Sequence, residues 1–388
     1  MELTESKGTM MFKLTDEQKD IKKAAREFAE GEFPDIASEC DINETFPADL
    51  WKKACEFGFI GVSIEEQYGG AGLGILEYAL LLEEFWRVDP GCGNILFSTL
   101  GSELIQQYGN EEQKKEYLRP LTKGKAIIGT IVSEDYIKNN FHYVRNNNGN
   151  EYLINGSNKF IFNGTNANYL VIVGQRNVGG APVAGEFSTF IIEKNQKGIK
   201  SVRLSDKLGI RASEISEVIL EDVRISSRNI VGTEREGLEH FNTFLDRLRI
   251  YNSAQAVGAS QGCLEKAIRY SRERVQFGHP IGWFQMIQFK IAEMATRVEA
   301  ARNLCYKSAW DFDHEGKDQK LHSMASWFSR EVAVNVTSEA LQIHGGYGYM
   351  KDLDIERFYR DVQSLELFGT SREREKIVIA RDLLGKMQ

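Results

Sequence analysis

Long apolar runs are missing from this chain of 388 residues, and so is any spacing of cysteine or histidine that would hold a metal. No stretch approaches the ~20 apolar residues that a bilayer-spanning helix needs, so no membrane span is expected. The five cysteines (Cys40, Cys55, Cys92, Cys263 and Cys305) are scattered, odd in number and without a CxxC pair. That usage excludes a disulfide-stapled scaffold and suits reduced, buried thiols. The six histidines are dispersed, and no metal site is expected. Basic charge is the minority, 48 Lys and Arg against 56 Asp and Glu, for a net charge of -8. That balance argues against a general nucleic-acid binder, although Arg247-Leu248-Arg249 and Arg272-Glu273-Arg274 can hold phosphates locally. The first residues lack the basic start and apolar centre of a secretory leader, and the expected location is the cytoplasm.

What remains is an ordinary globular composition, 42% hydrophobic and 27% charged, long enough for one large core or two or three packed subdomains. Residues 12–125 carry helical periodicity. Asp16 follows an N-cap signal at Thr15, and Ile21, Ala24, Ala25 and Phe28 share one face. The glycine-rich stretch 69–74 lacks a preceding strand and reads as a tight connection. Residues 126–235 change to short β-rich runs separated by Asn, Gly and Asp. Residues 236–388 return to helix in long segments, near 238–274, 285–310, 322–343 and 373–386, as in a helical bundle.

Several motifs stand in this frame. Arg274-Val275-Gln276-Phe277-Gly278 is followed by Gln285 and Gln288. Gln342-Ile343-His344-Gly345-Gly346-Tyr347 pairs two glycines that let backbone approach a diphosphate closely. Tyr359-Arg360-Asp361 precedes Phe368-Gly369-Thr370-Ser371. Together with the helix–β–helix order, these segments resemble the acyl-CoA dehydrogenases over nearly the whole chain.

The resemblance implies a fold that is mainly α with a central β-domain: an N-terminal helical domain, a small β-barrel-like domain and a C-terminal four-helix bundle. It implies FAD as cofactor, with Arg274, Phe277, Gln285, Gln342, Gly345 and Gly346 reaching the FAD of a neighbouring subunit, and hence a homotetramer. Thr370 resembles part of the adenosine-contacting pair. Ser133, Phe160 and Phe162 fall on the flavin-side positions. Asp246 and Arg249 fall on the helix that lines the acyl-thioester pocket, and Cys92 and Asn94 near its far end, where small residues suggest room for bulk. The implied substrate is an acyl thioester of CoA or of an acyl-carrier protein, and the implied electron partner an electron-transferring flavoprotein.

Three departures bear on the reaction. Relatives place a catalytic glutamate directly before the Gly-Thr pair; this segment is one residue short, and the base position falls on Gly369. A second family site for the base falls on Leu248. An α-proton of a thioester needs a base within hydrogen-bond reach, and neither residue can serve. In the loop 133–140 Ser133 and Glu134 persist, but the usual proline and glycines are gone. Phe160 replaces a tryptophan and can still stack on a ring. Phe162 replaces a threonine and cannot donate its hydrogen bond, worth roughly 1–3 kcal/mol when buried.

These departures leave three readings. One is a dehydrogenase or reductase acting on an unusual, conjugated or cyclic acyl group, with the base relocated to Asp89 or Glu366. Another is a catalytically silent paralogue or partner subunit. The third is a flavin-dependent monooxygenase on the same fold.

Overall fold

A computed structural model describes residues 13–132, 141–146, 149–314, 316 and 318–385. The chain opens with helices α1 (Asp16–Glu32), α2 (Pro34–Asn43), α3 (Ala48–Glu56) and α4 (Ile75–Val88). Short helices α5 (Pro90–Gly93), α6 (Ser102–Tyr108), α7 (Glu111–Gln113) and α8 (Arg119–Thr122) follow. Thr15 caps α1 through a reciprocal capping box with Gln18, which satisfies two N–H groups that the first turn leaves open. Helix α4 is buried on nearly every side and is the centre of this part of the core.

The middle of the chain forms one eight-stranded sheet. Its strands are β1 (Ile128–Ile131), β2 (Phe141–Arg145), β3 (Glu151–Phe162), β4 (Tyr169–Val178), β5 (Ala181–Glu193), β6 (Ile199–Arg203), β7 (Ile215–Ser226) and β8 (Ile230–Val231). The order is β6-β7-β3-β1-β4-β5-β8, and β2 also pairs with β3 and β4. Strand β3 alternates buried Tyr152 and Ile154 with more exposed neighbours. Its register with β7 shifts between Asn158 and Ile161, where Phe160 takes a left-handed φ of 63°.

The last part is built on α9 (Gly237–Glu273), α10 (Gln285–His314), α11 (Gln319–His344), α12 (Ile355–Asp361) and α13 (Arg372–Leu384). A two-stranded hairpin, β9 (Val275–Gln276) and β10 (His279–Pro280), joins α9 to α10. Helices α9, α10, α11 and α13 form the bundle, and α4 lies against α9. Two glycines make that last approach possible: a Cβ at Gly258 would stand 2.3 Å from the Glu83 carbonyl oxygen, and one at Gly262 would stand 2.0 Å from that of Arg87. The buried carboxylates of α4 are neutralised where they meet other helices. Glu83 pairs with Lys22 and Arg302, and Glu84 with Arg26 and Arg87.

The expected sequence of helices, β-domain and helical bundle is therefore the fold observed. The long helices differ from expectation only at their ends, by a few residues. Among the described residues no helix is long and apolar enough to cross a membrane.

Candidate functional site

Two concave surfaces and one closed cluster gather most of the singled-out residues. The first surface forms where α9 ends at Arg274 and α11 ends at His344. A cavity of about 470 Å³ there is lined by Tyr270, Arg274, Ile343, Gly345, Gly346 and Tyr347. The Arg274 guanidinium lies 5.5 Å from the centre of the Tyr347 ring. His344 stacks on Tyr270 at 4.4 Å, and its Nδ1–H donates to the Ala340 carbonyl at 2.7 Å. Burial pushes the His344 pKa down, so the ring is neutral and leaves Arg274 as the cation of the cradle. Gly345 has φ 57°, and a Cβ at Gly345 or Gly346 would meet nothing within 4 Å. Their backbone thus faces open space, as close approach of an anion requires.

Exposed apolar side chains lie in the segments next to those that line this cradle. Phe277 is 89% exposed and Tyr349 84%, and Trp283, Met286 and Phe289 are also exposed. Gln285 starts α10 and Gln342 lies on the last turn of α11, both exposed.

The second surface is a groove of about 500 Å³ between the sheet and α12. Phe160, Leu204, Leu208, Ile215, Ser364 and Leu367 line it. The bulge in β3 turns half-buried Phe160 toward this groove. Phe162, two residues on, points elsewhere: it is buried, with its ring 5.5 Å from Phe97 and 5.3 Å from Phe368.

The closed cluster surrounds Gly369. Its φ is 78°, and a Cβ there would stand 3.1 Å from Asn252 Nδ2. The Gly369 N–H donates to the Val132 carbonyl at 2.6 Å, and Asn252 Nδ2 donates to the Phe368 carbonyl at 3.0 Å. Asn252 Oδ1 is buried without a hydrogen-bond partner among the described residues.

Residues 15–125, 134–223 and 235–384 match the descriptions "Acyl-CoA dehydrogenase, N-terminal domain", "middle domain" and "C-terminal domain". The chain belongs to the acyl-CoA dehydrogenase family. It is 38% identical over 385 residues to the acryloyl-CoA reductase (NADH) of Anaerotignum propionicum, covering 97% of each chain. It is 34% identical over 376 residues to the 3-(aryl)acrylate reductase of Clostridium sporogenes, covering 95% of this chain and 99% of that one. Among solved structures, it superposes with a TM-score of 0.91 on a chain from the work "Electron transferring flavoprotein of Acidaminococcus fermentans: Towards a mechanism of flavin-based electron bifurcation". That chain is 36% identical, and the match covers 97% of this chain and 100% of that one.

As a member of this family the protein is an FAD-dependent oxidoreductase. Its residues fit the cofactor. The open Gly345-Gly346 backbone beside Arg274 suits a diphosphate, and the apolar groove at Phe160 suits a flat ring. FAD supplies two-electron chemistry when bound.

Other expected contacts are placed differently. The Thr370 hydroxyl is buried and donates to Glu375. Arg249 Nε reaches both oxygens of buried Glu375, at 3.1 and 2.9 Å, and Asp246 accepts from Arg249 Nη1. This pair therefore anchors α13 to α9. Asn94 is consumed by three hydrogen bonds: Oδ1 accepts from Trp86 and Gln255, and Nδ2 donates to Ser213. Cys92 is fully buried. Gly93 is small because Trp86 packs on it, with only 2.8 Å left for a Cβ, and not because a wide pocket opens there. Ser133 lies outside the described residues.

Neither expected base is free. Asp89 is buried; one oxygen caps α5 by accepting from the Cys92 N–H at 2.8 Å, and the other accepts from Arg357 Nε at 2.8 Å. Glu366 pairs with Arg372 at 2.7 Å on a part-exposed surface. These contacts give both carboxylates structural partners.

Two buried acids were not singled out for chemistry in the sequence. Asp361 accepts from the Ile210 N–H at 2.6 Å; burial and the nearby Asp89 raise its pKa to about 8. Glu103, on α6, accepts from the Tyr251 hydroxyl at 3.1 Å and from the Gly101 N–H at 2.8 Å. Burial raises its pKa. The only signal for Glu103 was a carboxylate set among the apolar residues Leu100, Leu104 and Ile105.

Proposed function

We propose that this protein adds or removes hydrogen at a conjugated or cyclic acyl group carried as a thioester of CoA or of an acyl-carrier protein, without a base at position 369. One observation carries this reading: the Gly345-Gly346 and Arg274 cradle is open, while position 369 holds a glycine with no carboxylate, its loop tied to Asn252 and to the Val132 carbonyl. Cofactor binding and the usual proton abstraction have thus come apart. A conjugated acyl group suits that separation, because its proton can be handled at a carbon remote from position 369. The acrylate-type substrates in the names of two relatives support the same class.

A second copy of this chain completes the cofactor site in this reading. The exposed Phe277, Trp283, Met286, Phe289 and Tyr349 are too apolar for a surface left in water, and Phe277 and Tyr349 adjoin in sequence the cradle-lining Gln276 and Met350. A homotetramer would cover them. An electron-transferring flavoprotein is the proposed redox partner, supported by the work in which the structural neighbour was described. The cytoplasm is the proposed location.

The closed row Phe97, Phe162 and Phe368 favours a second reading, a flavin-binding subunit without turnover. The test is the visible spectrum of the purified protein, recorded anaerobically before and after adding saturated and conjugated acyl thioesters. Flavin that bleaches with a saturated thioester, or that re-oxidises from its reduced form with a conjugated one, supports the oxidoreductase. Flavin that responds to neither supports the silent subunit.

A further inference from the structure

Arg274 is half-buried and, among the described residues, makes no ion pair. No carboxylate lines its cavity among those residues either. The contact that places its guanidinium is aromatic: it lies over the Tyr347 ring, 5.5 Å from the ring centre. The Arg274 backbone is fixed on both sides. Its N–H donates to the Tyr270 carbonyl at 2.8 Å, and its carbonyl accepts from the Ile281 N–H at 2.8 Å.

Tyr347 stands on a turn that is equally fixed. A Cβ at Gly348 would stand 2.4 Å from the Leu341 carbonyl oxygen, so the turn is pressed onto α11. The Met350 N–H closes it on the Tyr347 carbonyl at 3.2 Å. The Tyr347 side chain is 50% exposed and lines the same cavity as Arg274, Gly345 and Gly346. A ligand in that cavity therefore meets both side chains. The kind of contact between them matters. A carboxylate partner would occupy the edge N–H groups of the guanidinium. An aromatic ring takes its flat face and leaves the edge free, and that edge is what binds phosphate oxygens in paired, charge-assisted hydrogen bonds.

We propose that Tyr347 is a positioning residue for Arg274: its ring holds the guanidinium by the face and keeps the edge N–H groups for the diphosphate of a dinucleotide. The inference rests on the cofactor reading of the cradle. A cation placed in advance spares the ligand the entropy of ordering a long, flexible side chain. Tyr347 thus acts on the anion through Arg274, and its ring rather than its hydroxyl carries the effect.

The test uses the full chain freed of flavin. ADP, which carries the diphosphate without the flavin ring, is titrated by calorimetry, and FAD by its fluorescence. Y347A and Y347L are each expected to weaken ADP binding about 3- to 10-fold, the scale of a cation–π contact. Y347F keeps the ring and should bind within about 2-fold of wild type. In an R274A background, Y347A should cause no further loss. FAD should follow the same order, and it decides the matter where ADP binds too weakly to titrate. Y347F as weak as Y347A would give the role to the hydroxyl, and Y347L as tight as wild type would remove the need for a ring; either result overturns the inference. Equal losses from Y347A with and without Arg274 would overturn it too, by making the two side chains independent. A wild type that binds neither ADP nor FAD would overturn the cofactor reading of the cradle itself.

Discussion

Asn252 Nδ2 donates to the Phe368 carbonyl at 3.0 Å and stands 3.1 Å from the Cβ that Gly369 lacks. The same amide that orders the loop thus crowds the first atom of any side chain at position 369. With φ at 78°, any L-residue there is also strained, by roughly 1–2 kcal/mol. G369A is expected to lower unfolding free energy by about 1–3 kcal/mol, read from urea denaturation. G369E should do at least as much and should not restore thioester-driven bleaching. A stable, newly active G369E would show that the loop relaxes and that the missing carboxylate alone sets the activity.

In the proposed reading, Arg274 and Gly345 hold the cofactor without serving the core. Gly345 needs its positive φ, and Arg274 is the cation facing the cavity. R274A and G345A are each expected to release flavin while the thermal unfolding of the apoprotein stays near that of wild-type apoprotein. Visible absorbance per mole of protein after gel filtration measures the first, and calorimetry the second. Full flavin retention in both variants would move the diphosphate site elsewhere.

The motifs that proved spatially close were local in sequence. Gly345-Gly346 and Arg274 sit at helix ends, where a short run of residues carries its own geometry, and the sequence displays them. Phe160 and Phe162 illustrate the opposite. The family resemblance put both on the flavin side, and regular strand alternation would have kept residues i and i+2 on one face. The bulge and the left-handed φ of Phe160 break that period, and only Phe160 reaches the groove. The Thr370 hydroxyl bond to Glu375 was not legible, because the burial of Glu375 depends on Arg249 from a helix more than a hundred residues away in the chain. Glu103 was hidden because a carboxylate in a helix usually faces solvent, and only the packing of α6 against α9 turns it inward.

Asp89 and Glu366 separate cleanly by their surroundings. D89N removes one of the two carboxylates paired with buried Arg357, Asp354 being the other, and breaking such a pair from one side costs up to about 3–5 kcal/mol. E366Q weakens a part-exposed pair with Arg372, worth at most about 1 kcal/mol. D89N is expected to destabilise strongly and E366Q hardly at all, in parallel urea titrations. Neither is expected to change the rate of flavin reduction per folded, flavin-loaded molecule. A large, specific rate loss in E366Q would return that residue to the chemistry.

Asp361 ties stability to pH. Its carboxyl titrates near 3.8 when unfolded and at about 8 in the fold, raised first by burial and then by Asp89. Between those values the native state holds a proton that the unfolded state has released, so ν_U − ν_N is negative and stability falls as pH rises. The contribution is fully present below pH ~4, declines with a limiting slope of about 1.4 kcal/mol per unit, and levels off above pH ~8. D361N, which cannot titrate, should lose this part of the slope. Wild-type and D361N unfolding free energies are compared from pH 5 to pH 8. Equal slopes would mean that the native carboxyl is already ionised across the range, with Arg360 or a rearranged Asp89 compensating for its burial.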